Sequence, residues 1–362
     1  MSTTSLQNHP SIEELFNHVD TIPLALFEYL DFSFLTDFSV FAPDPWGRTR
    51  EHEPPELLKG VLYCFSREIY SPEEIARELQ DELLYLQLGF DNPPSHQSIR
   101  RFLTDIALVV EDVFEYLVEQ VAARDLLDNT LRIDSTDVHA DPRDGEASWN
   151  YDPTAEPDGS DADQSDESEQ DTSDDTDDEQ DEESDGGYYF GYGCLVVTTG
   201  PKLPVAAAFT EQKQVTQETA RRVTQDALAV GDPIWMLGDA AFDMLKWHDD
   251  LIEEGVVPIA PYNKRNTDDP HDINYRIEQR IKEHSDTVRV RSKQLEETYE
   301  QRSQVERTIG ACKDCGLETP GVRGRVRVNS HVFLSLCLRL VIAIANYERE
   351  SNPGKTTIEV CQ

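Results

Sequence analysis

Between Asp152 and Asp185 the chain carries 18 aspartates and glutamates, no lysine or arginine, and no hydrophobe larger than alanine. Such a stretch cannot bury enough apolar surface to offset the entropy of ordering it. It reads as a disordered acidic insertion, bounded at 145–186, and any fold must carry it as an excursion between two ordered elements. The whole chain, at 362 residues, is long enough for two or three domains with a sizeable core.

The net charge is −40, and the tract accounts for 18 of it, leaving −22 over the other 328 residues. At first sight such acidity argues against a nucleic-acid partner, because phosphates repel it. Lysine is also scarce, 9 against 23 arginines. Few lysines, many carboxylates and an ordinary core fit a protein of molar-salt cytoplasm, where the Debye length is about 3 Å. The plainer alternative is an acidic protein with partners to match. The charge is unevenly placed: residues 275–327 hold 12 basic and 9 acidic side chains, a net +3, against −43 elsewhere. Residues 1–20 are polar and broken by Pro10, unlike a signal peptide. The apolar run from Val332 to Ala345 is too short to span a bilayer and contains Arg339, so no membrane partner is expected. Six scattered cysteines fit a reducing cytoplasm.

Residues 1–128 read as an all-helical N-terminal domain. Leu57, Leu58, Val61, Leu62 and Phe65 recur at helical spacing after Pro54-Pro55. Ser71-Pro72-Glu73-Glu74 is a helix start with a capping box. After Asn92-Pro93-Pro94, Ser95 or Ser98 opens another helix, with Ile99, Phe102, Leu103 and Ile106 on one side and Arg100 and Arg101 on the other. The pattern suits a helix-turn-helix-like unit and equally an ordinary bundle.

From 129 to 350 the period changes. A short strand over Thr130–Ile133 ends at Asp134, Tyr188–Thr199 and Val205–Thr210 continue a meander, and a buried strand, Pro233–Gly238, ends at Asp239. Helices follow over Glu218–Ala229 and Asp243–Glu254, with a strand at Val256–Ala260. Three strands followed by alternating helices and strands give an α/β fold, a ribonuclease H-like mixed sheet flanked by helices. Ligands gather at the carboxyl ends of strands in such sheets, which singles out Asp134 and Asp239. Two neighbouring aspartates with a third carboxylate would hold two Mg²⁺ (or Mn²⁺) for phosphoryl transfer.

The third carboxylate is sought around Tyr299, Arg302, Glu306 and Lys313, whose steps of three, four and seven residues return to one helical face. These four residues, with Asp134-Ser135-Thr136-Asp137 and Gly238-Asp239-Ala240-Ala241-Phe242-Asp243 ahead of them, resemble the DDE-type insertion-sequence transposases of bacteria and archaea. The likeness runs over roughly 50–347, and Phe242 stands where that family more often has tyrosine. It implies catalytic, metal-binding Asp134, Asp239 and Glu306. It further implies a double-stranded DNA partner, the inverted-repeat ends and the target, held by a homodimer. Tyr299, Arg302, Arg307 and Lys313 would face that DNA, with Arg100, Arg101 and the run Arg323, Arg325, Arg327 as further contacts.

Plainer readings stand beside these. Asp137 caps or faces a loop, Asp243 begins a helix, and His139 is a surface-loop histidine. Arg323, Arg325 and Arg327 form either an extended DNA-facing segment or salt-bridged surface. Cys312-x-x-Cys315 with His331 falls short of four zinc ligands. A non-catalytic DNA-binding descendant, or an acidic scaffold acting through 152–185, are the alternative functions.

Overall fold

The computed structural model describes residues 21–42, 50–152, 187–261, 263 and 292–358. Six helices come first: α1 Ile22–Phe27, α2 Pro54–Phe65, α3 Pro72–Glu78, α4 Glu82–Gln87, α5 His96–Ile106 and α6 Val110–Ala122. Their starts follow the capping signals. Ser71 Oγ accepts from the Glu74 amide at 3.2 Å and Ser95 Oγ from the Ser98 amide at 3.2 Å, each contributing about 1 kcal/mol of the kind an N-cap supplies. Leu58, Val61, Leu62, Ile99, Phe102 and Ile106 are fully buried, as the periodicity requires.

The sheet comprises β1 Thr130–His139, β2 Ser148–Asp152, β3 Gly187–Thr199, β4 Leu203–Thr210, β5 Trp235–Leu237 and β6 Val257–Ile259. β3 lies antiparallel to β1, β2 and β4, whereas β1–β5 and β5–β6 are parallel. Helices α7 Gln217–Leu228 and α8 Leu245–Glu253 connect the later strands. Antiparallel strands leading into parallel ones joined by helices give the mixed sheet of a ribonuclease H-like fold.

Two boundaries differ from the sequence expectation. β1 does not stop at Asp134; pairing with β3 carries it on to His139. Residues 145–152, assigned to the insertion, include β2, because Trp149 and Tyr151 find ring partners in Phe190 and Tyr188 across the ladder. The rest of the insertion, 153–186, lies outside the described residues.

The chain continues through α9 Ser292–Tyr299, a 3₁₀ turn Glu300–Ser303, α10 Gln304–Lys313 and α11 Arg325–Glu348. α11 is long and apolar enough to cross a membrane by composition, yet 94% of its apolar window is buried inside the protein. It packs against α6, β4, α1 and α2, so one apolar core runs from Leu26 to Ile344. Its buried Arg339 is held by the carbonyls of Lys202, Pro201 and Pro353.

Candidate active site

The last register pair between β1 and β5 is Arg132 with Leu237. Two residues past that pair stand Asp134, still on β1, and Asp239, just beyond the end of β5, so the parallel register delivers two carboxylates to the same end of the sheet. Asp134 accepts from the Ser135 amide at 2.8 Å, and Asp239 caps the 3₁₀ turn Ala240–Phe242 through the Ala241 amide at 2.8 Å. Gly238 allows that turn to close. A Cβ there would fall 2.8 Å from Phe242. Burial, and next the charge of Asp239, push the Asp134 carboxyl up to about 6.

Tyr299 lies half-buried over the Trp235, Leu237, Ile252, Val257, Ile259 and Leu295 cluster. Its hydroxyl is pushed up by burial, with both aspartates adding to the shift. Glu306 is in the first turn of α10 with its side chain 61% exposed. Arg302 stands between the acidic groups, Nη1 3.7 Å from Asp134 Oδ2 and Nη2 3.2 Å from Glu306 Oε1.

The Tyr299–Lys313 tetrad does not ride one helix. The 3₁₀ turn separates α9 from α10, and it is held by Arg132, a residue sequence reasoning passed over. Buried to 2% exposure, Arg132 donates to the Gln301 carbonyl and to Gln301 Oε1, both at 3.1 Å, and to the Thr130 carbonyl at 3.0 Å. An arginine in the otherwise apolar strand segment Leu131-Arg132-Ile133 was the available signal. Such turns inside helical stretches commonly mark functional hinges.

Lys313 and its neighbours correct further expectations. Lys313 is ion-paired: its Nζ lies 3.2 Å from Asp137 Oδ1 and 2.5 Å from Glu318 Oε1. Asp137 is in β1, not capping a loop, and its Oδ2 lies 2.6 Å from His139 Nε2. The His139 hydrogen bond holds the Asp137 carboxyl well below its ordinary range despite burial, helped by Lys313. His139 ends β1 and stacks on Tyr189, their centroids 5.4 Å apart. Asp243 follows the 3₁₀ turn instead of opening a helix, and accepts from the Asn263 amide at 3.0 Å.

The arginines are less available than a bare DNA wall requires. Arg323 binds Asp141 at 2.9 Å, and Arg325 binds Glu211. Arg325 and Arg327 open α11, so the run is not extended. Arg100 binds Glu73, while Arg101, Arg307 and Arg327 are exposed. Cys312 and Cys315 are buried, and His331 Nε2 meets the Gly316 carbonyl at 2.9 Å.

Among the described residues, the three ligand-type side chains whose donor atoms lie within 4.8 Å of one another are Asp137, His139 and Glu318, with the Lys313 ammonium already on two of them. Asp134, Asp239 and Glu306 do not form so tight a group. Their donor set still fits divalent metal: hard oxygens from two repelling carboxylates at the same end of the sheet, with a third reached across Arg302.

Residues 126–341 match the family described as Transposase DDE domain. The chain is 53% identical over 360 residues, 99% of its own length and 100% of the relative's, to a protein of Halobacterium salinarum described as "Probable transposase for insertion sequence element ISH11". A second strain of that species carries a relative of the same description, identity and coverage. No solved structure matches the chain significantly.

Proposed function

This chain belongs to the DDE transposase family, and from that premise we propose that it binds the terminal inverted repeats of an insertion sequence, cleaves the element ends and joins the freed 3′-hydroxyls to target DNA. The observation that carries this reading is the matching position of Asp134 on β1 and Asp239 just beyond β5, each two residues past a register pair, with Glu306 linked to Asp134 through Arg302.

Asp134, Asp239 and Glu306 would hold two divalent ions, Mg²⁺ or Mn²⁺. Bound ions of this kind activate the attacking oxygen and stabilise the leaving one. The protein's own part is placement. Arg132 fixes the turn that presents Arg302, and Tyr299 walls the carboxylates against the apolar cluster below. Arg302 and Arg307 would meet phosphate as DNA enters, while Arg101 and Arg327 offer exposed guanidiniums further away. Arg100, Arg323 and Arg325 would have to exchange carboxylate partners for phosphate.

In this reading residues 1–128 bind the element ends and 129–350 catalyse, the two sharing one core. Two ends must be joined, so the working form is a homodimer on DNA, in the cytoplasm. Excision of a marked element tests the proposal. Asp239→Ala should bind the terminal repeat and excise nothing; excision at the wild-type rate by that variant would sink it.

A further inference from the structure

We propose that Asp137 and Glu318 set specificity for the element ends: they hold the Lys313 ammonium off DNA until a duplex seated in the site brings a phosphate to replace them. The inference rests on the DNA binding proposed above and names the carboxylates that this DNA must displace.

Lys313 closes α10, seven residues and about 10 Å of helix beyond Glu306, on the same helical face. An ammonium there can meet the backbone of a duplex whose reacting phosphate lies at Glu306. Without DNA it is already neutralised, 3.2 Å from Asp137 Oδ1 and 2.5 Å from Glu318 Oε1. Both carboxylates are held in place. Asp137 lies on β1 three residues after Asp134, and the Glu318 carbonyl accepts from the His139 amide at 2.8 Å. A duplex that merely touches this surface meets no free charge at Lys313. Only one seated closely enough to outbid two carboxylates gains the contact, which is how a built-in competitor sharpens specificity.

The joint is built to open. Breaking an ion pair is costly when it leaves a buried charge alone, and neither carboxylate is left so. Asp137, 16% exposed, keeps His139, whose Nε2 lies 2.6 Å from its other oxygen. The hydrogen bond to Asp137 raises the proton affinity of His139, which favours the imidazolium that faces the carboxylate once the lysine has left. Glu318, 42% exposed, turns to solvent. The exchange also alters the salt dependence. A lysine that takes up a phosphate releases a counterion from DNA, but the freed Glu318 gathers one in its place, so this contact costs little affinity as salt rises.

The test measures binding of the full-length protein in EDTA, across a KCl series, to two labelled duplexes, one carrying the element's terminal repeat and one unrelated. Lys313→Met should weaken binding to the repeat about fivefold or more and leave binding to the unrelated duplex unchanged. Glu318→Gln should tighten binding to the unrelated duplex about two- to fivefold and steepen its salt slope by up to about one, so the preference for the repeat narrows. Asp137→Asn should act in the same direction. In the Lys313→Met background Glu318→Gln should change neither affinity, because the two act as one pair. Lys313→Gln, which can still hydrogen-bond both carboxylates, takes the place of the methionine variant if that one does not fold. Equal weakening on both duplexes by Lys313→Met shows an ammonium that is never withheld and overturns the inference. So does tightening by Glu318→Gln in the absence of the lysine, which is general charge repulsion, or an undiminished preference for the repeat in Glu318→Gln. A wild-type protein that binds both duplexes equally overturns the proposed function, and this inference with it.

Discussion

Asp134 on β1 and Asp239 just beyond β5 each stand two residues past the Arg132–Leu237 register pair, and burial, with the charge of Asp239 adding to it, raises the proton affinity of Asp134. β5 is short and pairs with β1 only over Thr130–Arg132. Where it ends, the edge of β1 opens beside Asp134, and β3 alone carries β1 onward to His139.

Burial of Asp134, with the Asp239 charge adding to it, predicts a pH-dependent stability penalty in metal-free protein. The folded pKa of Asp134, about 6, lies above its ordinary 3.8, so folding favours the protonated carboxyl. The penalty is absent below pH 3.8 and fully present above about 6. Its size is about 3 kcal/mol at most. Asp134→Asn should therefore raise Tm at pH 7.5 in EDTA and leave it unchanged near pH 3.5. Equal Tm values for the two proteins across that range would refute the assignment.

Arg132 should prove as sensitive as the carboxylates. Arg132→Leu leaves the Gln301 carbonyl and side chain without their donor and frees the 3₁₀ turn. Loss of a buried hydrogen-bonding charge costs roughly 2–4 kcal/mol. Denaturant unfolding should show that loss, and cleavage should fall further than stability alone explains, because Arg302 rides the same turn.

The insertion should be dispensable. Asp152 and Gly187 are register partners, so residues 153–186 leave and re-enter the β2–β3 ribbon at one point. Replacing them with Asn-Gly supplies a two-residue hairpin turn and shortens the loop, worth up to about 2.5 kcal/mol. The shortened protein should melt no lower than wild type and still excise the element. A protein that folds but no longer excises would assign the insertion a direct role.

Thiol chemistry offers an independent check. Cys64, Cys194, Cys312, Cys315 and Cys337 are all buried, and burial pushes the Cys64, Cys194 and Cys315 thiols up to about 12. A Cys361→Ser protein should resist a thiol reagent until it is denatured, then label five times. Rapid labelling of the native variant would show that the core around these thiols opens.

Much of the fold was legible because its signals are local. Ser71 and Ser95 cap as their spacing demands, the apolar positions of α2 and α5 are buried, and the change of period near residue 129 marks the first strand. Of the candidate site, the sequence named Asp134, Asp239 and Glu306; the structure places Arg302 between Asp134 and Glu306, and the charge of Asp239 acts on Asp134. Where the reading failed, a partner distant in sequence made the difference. β1 outran Asp134 because β3, returning more than 50 residues later, kept pairing with it. The tetrad fell on two helices, and the turn between them is held by Arg132 from 169 residues away.

The amino-acid sequence by itself determined the capped helix starts, the buried helical faces and the change of period near residue 129, since each depends on neighbours a few residues apart. Only the tertiary structure decided which charges meet. Lys313 found Asp137 and Glu318, Arg325 found Glu211, and Arg302 came to stand between Asp134 and Glu306. A side chain's charge is written in its residue, but the ion it neutralises depends on distance through space, which the register of strands and the packing of helices set.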